Sequence, residues 1–178
     1  MHIRTHRRTD ADRIAEILAA GWAQAYSRFM PADILQPRVD PERRKIEIAE
    51  WLEDEFDPAV EALFVAENEG GVGGFIHMEL GDKGGLGATG IVNLLYVDAA
   101  LQGRGVGRAL MAAGARWLMR AAPGSLVLSA YADNHFRHAY TAMGGHEAKQ
   151  VVSSFNGHDL SSVLYLWPDP TSLFRLGG

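Results

Sequence analysis

The segment that most constrains the fold is residues 94–110, LLYVDAALQGRGVGRAL, where an apolar run meets a glycine-rich turn. The apolar run, residues 91–97, has the length and β-branched content of a strand buried on both faces. After the glycines, Val106, Leu110 and Leu118 recur at helical spacing, which predicts a helix over residues 105–121. A strand, a helix and a further strand at residues 125–131 predict one right-handed parallel crossover.

The rest of the chain alternates between helical and strand patterns. A Thr9-x-x-Asp12 pattern predicts a capping box at the start of a helix that ends near Tyr26. Asp40-Pro41 predicts the start of a second helix, whose expected apolar face is Ile46, Ala49, Trp51 and Leu52. A short helix is predicted over residues 135–143. The remaining predicted strands are residues 3–5, 62–67, 72–80, 148–155 and 162–167.

This order, βααβββαβαββ, predicts a single α+β domain over residues 1–170, with a mixed but mostly antiparallel sheet and helices on both faces. Residues 171–178 are predicted to be a frayed tail.

Charge and residue types exclude several kinds of function. With 17 Lys and Arg against 22 Asp and Glu, the net charge of −5 argues against a general nucleic-acid partner. The chain has no cysteine, which excludes disulfides, thiolate metal sites and a cysteine nucleophile. No signal peptide and no apolar run of about 18 residues is present, so we expect a cytoplasmic protein without a membrane partner.

The glycine-rich turn has the properties of an anion site. Glycines let the backbone approach a ligand closely, and the free N–H groups and dipole of the following helix favour a phosphate. Arg104 and Arg108 add positive charge. A P-loop requires Lys and Ser or Thr after its last glycine, and neither follows here. A dinucleotide fingerprint requires a different third glycine spacing and an early βαβ unit; a glycine-rich loop that merely turns is the remaining alternative.

The turn in its context resembles a known family motif. Leu95-Tyr96-Val97-Asp98, then Gln102-x-x-Gly105-x-Gly107, then an amphipathic helix, closely resembles the cofactor motif of the GNAT superfamily of acyl-CoA N-acyltransferases. The resemblance extends over roughly residues 3–167.

The resemblance implies acetyl-CoA as cosubstrate, no metal, and a fourth and a fifth strand that splay apart to admit it. Backbone groups of the fourth strand are then expected to pair with the pantetheine arm, and those of the turn with the pyrophosphate. The implied cofactor-binding residues are Leu95, Tyr96, Val97, Gln102, Gly103, Arg104, Gly105, Val106, Gly107, Arg108 and Asn134.

The resemblance also implies a proton donor for the leaving thiolate, and Tyr140, four residues before Gly144, matches it. Asn134 resembles the asparagine that bonds the pantetheine arm, but it lies six residues before Tyr140 where the family has seven. Counting back from Tyr140, the spacing we prefer, places Asp133 at that position. Both assignments stay open.

The base that deprotonates the amine is less defined. Family members carry a glutamate on the fourth strand where this chain has Asn93 or Ile91. Asn93 could orient the amine or a water, and Glu79, two residues after His77 on the neighbouring strand, is the candidate carboxylate. His135 and His138 are more typical of an exposed helix surface, and deprotonation relayed by water is the further alternative.

An acceptor pocket is expected around the first helix, where Trp22, Tyr26 and Phe29 form an aromatic group. The same residues could instead pack the helix on the sheet, above all Trp22. Trp51 and the loop over residues 81–90 are expected to flank the acceptor cleft.

The sequence thus predicts an acetyl-CoA-dependent N-acetyltransferase that acts on the primary amine of a small molecule by direct attack. The alternatives are an acyl-CoA-binding sensor without turnover and a protein or peptide N-acetyltransferase. The apolar last strands permit a homodimer.

Overall fold

A computed structural model describes the backbone of residues 1–177 and the side chains of residues 1–175. It contains one sheet of seven strands in the order β1-β2-β3-β4-β5-β7-β6. The strands are β1 (His2–Thr5), β2 (Glu61–Asn68), β3 (Gly71–Leu80), β4 (Gly90–Val97), β5 (Leu126–Tyr131), β6 (His146–Phe155) and β7 (His158–Trp167). The α-helices are α1 (Ala11–Tyr26), α2 (Ala32–Val39), α3 (Pro41–Glu50), α4 (Val106–Ala121) and α5 (His138–Ala142).

The mixed, mostly antiparallel sheet that the sequence predicts is confirmed. Only β4 and β5 pair in parallel, and every other neighbouring pair is antiparallel. The parallel pairing is short: it joins residues 90–92 of β4 to residues 126–128 of β5 and ends there. The two strands therefore separate beyond Val92, as expected, and open a gap in the middle of the sheet.

Helices cover both faces of the sheet, and each cover has its own core. On one face α1 and α3 pack on Leu63, Val65 and Phe75. On the other face α4 packs on Ile76 and Met78. The two apolar layers hold the separating strands in place.

Helix α2 is absent from the sequence prediction. Pro37 lies inside it, and proline removes a helical hydrogen bond, so the local pattern argues against a helix here. Ile34 and Leu35 are nevertheless buried with Tyr26 and Leu160. Tertiary packing therefore outweighs the poor local propensity.

Two details of the helices differ from the predictions: the cap before α1 and the buried face of α3. The capping box over Thr9 and Asp12 does not form, because Asp10 instead accepts from the backbone N–H of Arg7 at 2.7 Å and pairs with Arg4. On α3 the buried residue is Ile48, whereas Ile46 is 61% exposed. The sheet meets α3 along a narrower stripe than the sequence pattern indicates.

The end of the chain is ordered rather than frayed. Residues Pro170–Gly177 form a 3-10 helix against α4, with Leu173 fully buried and the carbonyl of Phe174 accepting from Arg116. Gly178, the last residue of the predicted tail, lies outside the described residues. No helix within residues 1–177 is long and apolar enough to cross a membrane.

Candidate active site

The gap between β4 and β5 leads into a cleft of about 640 Å³. Its walls are α1, β4, the glycine-rich turn, β5 and α5. Thirteen of the residues singled out in the sequence line it: Tyr26, Asn93, Leu95, Tyr96, Val97, Gln102, Gly103, Gly105, Val106, Gly107, Arg108, Asn134 and Tyr140.

The glycine-rich turn forms one end of this cleft. Gly103 and Gly105 have φ values of +73° and +82°, a left-handed conformation that strongly favours glycine. Gly105 is the N-cap of α4, a helix of 16 residues, so the N–H groups of the first turn lack intrahelical acceptors, and the residues of that turn line the cleft. A chain turned in this way offers several N–H donors and the positive end of a helix dipole to an anion.

Gln102 fastens this turn to the rest of the molecule. Its Nε2 donates to the carbonyl of Val97 at 3.0 Å and to the side chain of Gln24 on α1 at 2.9 Å. Next to it, Asp98 pairs with Arg13 of α1. The turn is therefore held from two sides, and the amide of Gln102 supports it from within.

β4 supplies the middle of the cleft. On one side Leu95, Tyr96 and Val97 pair with β3, and on the other side the strand edge is unpaired because β5 has separated. Backbone N–H and C=O groups on this free edge can pair with an extended, amide-bearing ligand in the manner of an added strand. The exposed Asn93 has no partner in the register between β3 and β4, so it is the extra residue of a β-bulge that turns its side chain to the cleft.

Tyr26, Tyr96 and Tyr140 all line this cleft. The hydroxyls of Tyr26 and Tyr96 are 3.5 Å apart, and the Tyr96 ring packs so close to α1 that a Cβ at Gly21 would overlap it. Burial raises the pKa of Tyr140 well above its ordinary value of about 10, and the neighbouring Tyr26 and Tyr165 phenols add to the shift. Tyr140 therefore holds its proton at neutral pH and can give it to a stronger base.

Asn134 and Tyr140 reach the same cleft although six residues separate them. The 3-10 helix His135–Arg137 precedes α5, and Asn134 caps it by accepting from the N–H of Phe136 at 2.9 Å. Asn134 is 5% exposed, whereas Asp133 is exposed and lines a separate hollow. The geometry thus favours Asn134 over Asp133 at the cleft wall.

Several candidates lie elsewhere. Glu79 pairs with Ile91, five residues before Tyr96 along β4, and does not line the cleft. His77 is buried against Trp51, and its Nε2 lies 3.1 Å from Glu61. The exposed residues Arg104, His135 and His138 line neither cavity.

The acceptor side also differs in part from expectation. Trp22 does not line the cleft, and Phe29 lines the smaller hollow with Tyr131 and Asp133. The loop over residues 81–90 borders neither cavity, and Gly84 packs on Leu164 instead. Trp51 packs on Phe56 and His77 in the core beneath α3, so it too lies away from the cleft.

Sequence reasoning missed Gln24, Ser129 and Phe136, which also line the cleft. Gln24 is an exposed polar residue near the end of α1, and its side-chain contact with Gln102 is what ties it to the site. No periodicity in the sequence could have indicated that contact.

A search with protein-family models matches residues 59–144 to the family described as Acetyltransferase (GNAT) domain. Residues 59–144 therefore match a GNAT acetyltransferase domain. The match begins before β2 and ends at Gly144, so it includes β4, the glycine-rich turn, α4 and Tyr140. The comparison with curated proteins gives no match.

Several solved structures resemble this chain over nearly its full length. A GCN5-related N-acetyltransferase from Rhodopseudomonas palustris has 18% identity and a TM-score of 0.71, covering 93% of each chain. A ribosomal-protein-alanine N-acetyltransferase from Brucella melitensis has 20% identity and a TM-score of 0.68, covering 94% of this chain and 99% of its own. YncA from Salmonella typhimurium, solved with its cofactor acetyl-CoA, has 20% identity and a TM-score of 0.66, covering 94% of this chain and 92% of its own.

Proposed function

We propose that the protein transfers an acetyl group from acetyl-CoA to the primary amine of a small molecule. The observation that carries this proposal is that one cleft holds both a turn rich in free N–H donors and the proton-bearing phenol of Tyr140. The similar structure of YncA contains acetyl-CoA, which supports the same cosubstrate here.

The proposed binding follows the shape of the cleft. The N–H groups of residues 103–108, with the exposed side chains of Arg104 and Arg108, hold the pyrophosphate. The free edge of β4 at Leu95 and Tyr96 pairs with the pantetheine arm, and Asn134 lies across the cleft from it. Acetyl-CoA supplies the thioester carbonyl at the point where β4 and β5 separate.

In the proposed reaction the neutral amine nitrogen attacks the carbonyl carbon, and the carbon–sulfur bond breaks as the carbon–nitrogen bond forms. The departing thiolate takes the proton of the Tyr140 hydroxyl. The proton lost by the nitrogen passes through water and restores the Tyr140 hydroxyl, and Asn93 orients that water or the amine. The balance is one amide and one thiol for each amine and thioester consumed.

Contacts between α2 and the turn that joins β6 to β7 support a small acceptor. The turn between β6 and β7 contacts α2, with His158 Nε2 3.2 Å and Asn156 Nδ2 3.4 Å from the carboxylate of Asp33. Arg38 on α2 also lies 5.2 Å from the Phe155 ring centroid. These contacts narrow the approach that a folded protein substrate would need.

One observation favours the second candidate, an acyl-CoA sensor. Within residues 1–177, no carboxylate and no imidazole lines the cleft, so no side chain there is suited to take the amine proton. Turnover then depends on water relayed past Asn93.

The test measures thiol release from acetyl-CoA with a panel of small amines and, separately, with peptides. We expect release with at least one class of small amine. Tight binding of CoA without release on any acceptor would favour the sensor, and release with peptides alone would favour a protein acetyltransferase.

A further inference from the structure

Among the half-buried arginines of residues 1–177, one has no carboxylate partner. Five arginines are half-buried in the described residues, and four of them form ion pairs with carboxylates: Arg4, Arg13, Arg44 and Arg137. Arg38, the fifth, has no carboxylate partner within residues 1–177. Its one protein acceptor there is the carbonyl of Ile34, at 3.0 Å from Nη1.

The surroundings of Arg38 hold its guanidinium in place. The guanidinium carbon lies 5.0 Å from the Trp22 ring centroid and 5.2 Å from that of Phe155, so aromatic rings from α1 and β6 flank it. Cation–π contacts position a guanidinium but leave its in-plane N–H donors free. A half-buried, positioned guanidinium with unused donors fits a carboxylate, which it can bind through two parallel hydrogen bonds.

The position of Arg38 relates it to the cleft. Trp22 packs edge-on against Tyr26, with centroids 4.6 Å apart, and Tyr26 lines the cleft. Trp22 also packs edge-on against Tyr131, with centroids 6.4 Å apart, and Tyr131 lines the smaller hollow. Trp22 therefore contacts the Arg38 guanidinium and also one tyrosine ring from the lining of each cavity.

We propose that Arg38 is a specificity-determining residue that binds a carboxylate of the acceptor, so that the substrates are amino acids or other amines that bear a carboxylate. This inference rests on the proposed acetyltransferase function. It assigns opposite ends of one small molecule to two places: the amine to the cleft beside Asn93, and the carboxylate to Arg38 beside the Trp22 ring.

The alternative to a carboxylate-bearing acceptor is a diamine, whose second ammonium group would bind to carboxylates near the site. Asp133 and Asp159 line the smaller hollow, but both are exposed, and Asp33 already pairs with His158. Exposed carboxylates bind a cation weakly, whereas a half-buried guanidinium between two rings has a larger effect. A diamine such as putrescine is therefore the informative competitor in the test.

The experiment compares kcat/KM for the standard L-amino acids, β-alanine and γ-aminobutyrate with kcat/KM for their carboxamides and for putrescine. We expect the best carboxylate-bearing acceptor to exceed its carboxamide by roughly 10- to 100-fold, the range of one charge-assisted hydrogen-bonded pair. Arg38→Gln should remove that preference, mainly through KM, while the carboxamide rate and the KM for acetyl-CoA stay unchanged.

Two controls separate recognition from other effects. Arg38→Lys keeps the charge but loses the planar fork, so part of the preference should remain, and Arg120→Gln removes an exposed charge at the far end of α4 and should change nothing. A purely structural Arg38 would lower stability and slow both members of each acid and amide pair equally. That result, or equal rates for acids and amides in the unaltered protein, would overturn the inference.

Binding provides a readout that does not depend on turnover. Calorimetric titration of the CoA-loaded protein with the same acids should show affinity that Arg38→Gln weakens by a similar factor. If no amine is acetylated but the acids still bind through Arg38, the proposed function fails and the inference stands. If amines are acetylated and no acid binds preferentially, the reverse holds.

Discussion

Tyr140 shows how a side chain's surroundings set its chemistry. A phenol in water has a pKa of about 10, and desolvation in the cleft raises it further. The higher pKa makes the Tyr140 hydroxyl a weaker acid. The hydroxyl therefore stays protonated over the physiological pH range. In the proposed reaction the departing thiolate takes that proton, and the low-dielectric cleft, which disfavours its charge as well, makes the thiolate more basic than in water.

The variant Tyr140→Phe removes this proton and little else, because the ring still packs against Tyr165 at 5.4 Å between centroids. Turnover should fall by roughly 10²-fold, the usual effect of losing a general acid, with acyl-CoA affinity unchanged. Steady-state rates and CoA titration measure the two quantities. The control is Tyr165→Phe, because the Tyr165 hydroxyl bonds Arg137 and Glu147 and does not line the cleft. An undiminished rate in Tyr140→Phe would move the acid elsewhere.

His77 is the residue whose titration should affect stability. Burial under α3 lowers its pKa to about 4, while the unfolded chain has a value near 6.5. Between these values the unfolded state binds a proton that the folded state excludes, so stability is full above about pH 6.5 and declines as pH falls toward 4.

The decline from this one group should reach at most about 3.5 kcal/mol, at roughly 1.4 kcal/mol per pKa unit. Urea unfolding at several pH values measures it. His77→Gln removes the titration and should flatten the curve in this window relative to the unaltered protein. Parallel curves for the two proteins would show that His77 does not titrate as burial predicts.

At the scale of elements, the site is made where regular structure stops. β4 and β5 pair over three residues and then separate, the bulge at Asn93 redirects one side chain, and the glycine-rich turn ends the strand and begins α4. Each interruption leaves backbone groups without partners inside the protein. Those groups are what a long, amide- and phosphate-bearing ligand can use.

Gly105→Val tests the turn as an element. Its left-handed backbone conformation, with φ +82°, is strained for a β-branched residue, so the turn should open and CoA binding should be lost while the domain stays folded. Gly85→Val is the matched control, since Gly85 has φ +69°, open space around it and no place in either cavity. Calorimetry with CoA and circular dichroism of both variants provide the comparison. CoA binding by folded Gly105→Val at unaltered affinity would contradict the pyrophosphate assignment.

At the scale of the whole molecule, two layers of helices hold one interrupted sheet. The face with α4 is completed by the 3-10 helix Pro170–Gly177, which places Leu173 in the same core cluster as Leu110 and Leu118. The end of the chain therefore contributes to the layer that supports the cofactor side of the cleft.

Leu173→Ala should destabilise the protein by about 2–5 kcal/mol, the usual cost of removing a large aliphatic side chain from a core. Arg175→Ala, two residues on and exposed, should change stability by less than about 0.5 kcal/mol. Denaturant unfolding of both variants measures the difference. Equal stabilities would mean that the last helix is not part of the cooperative core.

The sequence by itself determined the strand, turn and helix over residues 91–121, because apolar periodicity and glycine placement are local signals. It also singled out Tyr140. It could not decide between Asp133 and Asn134, place Glu79 outside the cleft, or find α2 and Arg38. Those outcomes depend on a bulge, a 3-10 turn and packing between distant segments, which set the direction of each side chain. Only the tertiary structure fixes such directions, since residues far apart in sequence impose them on each other.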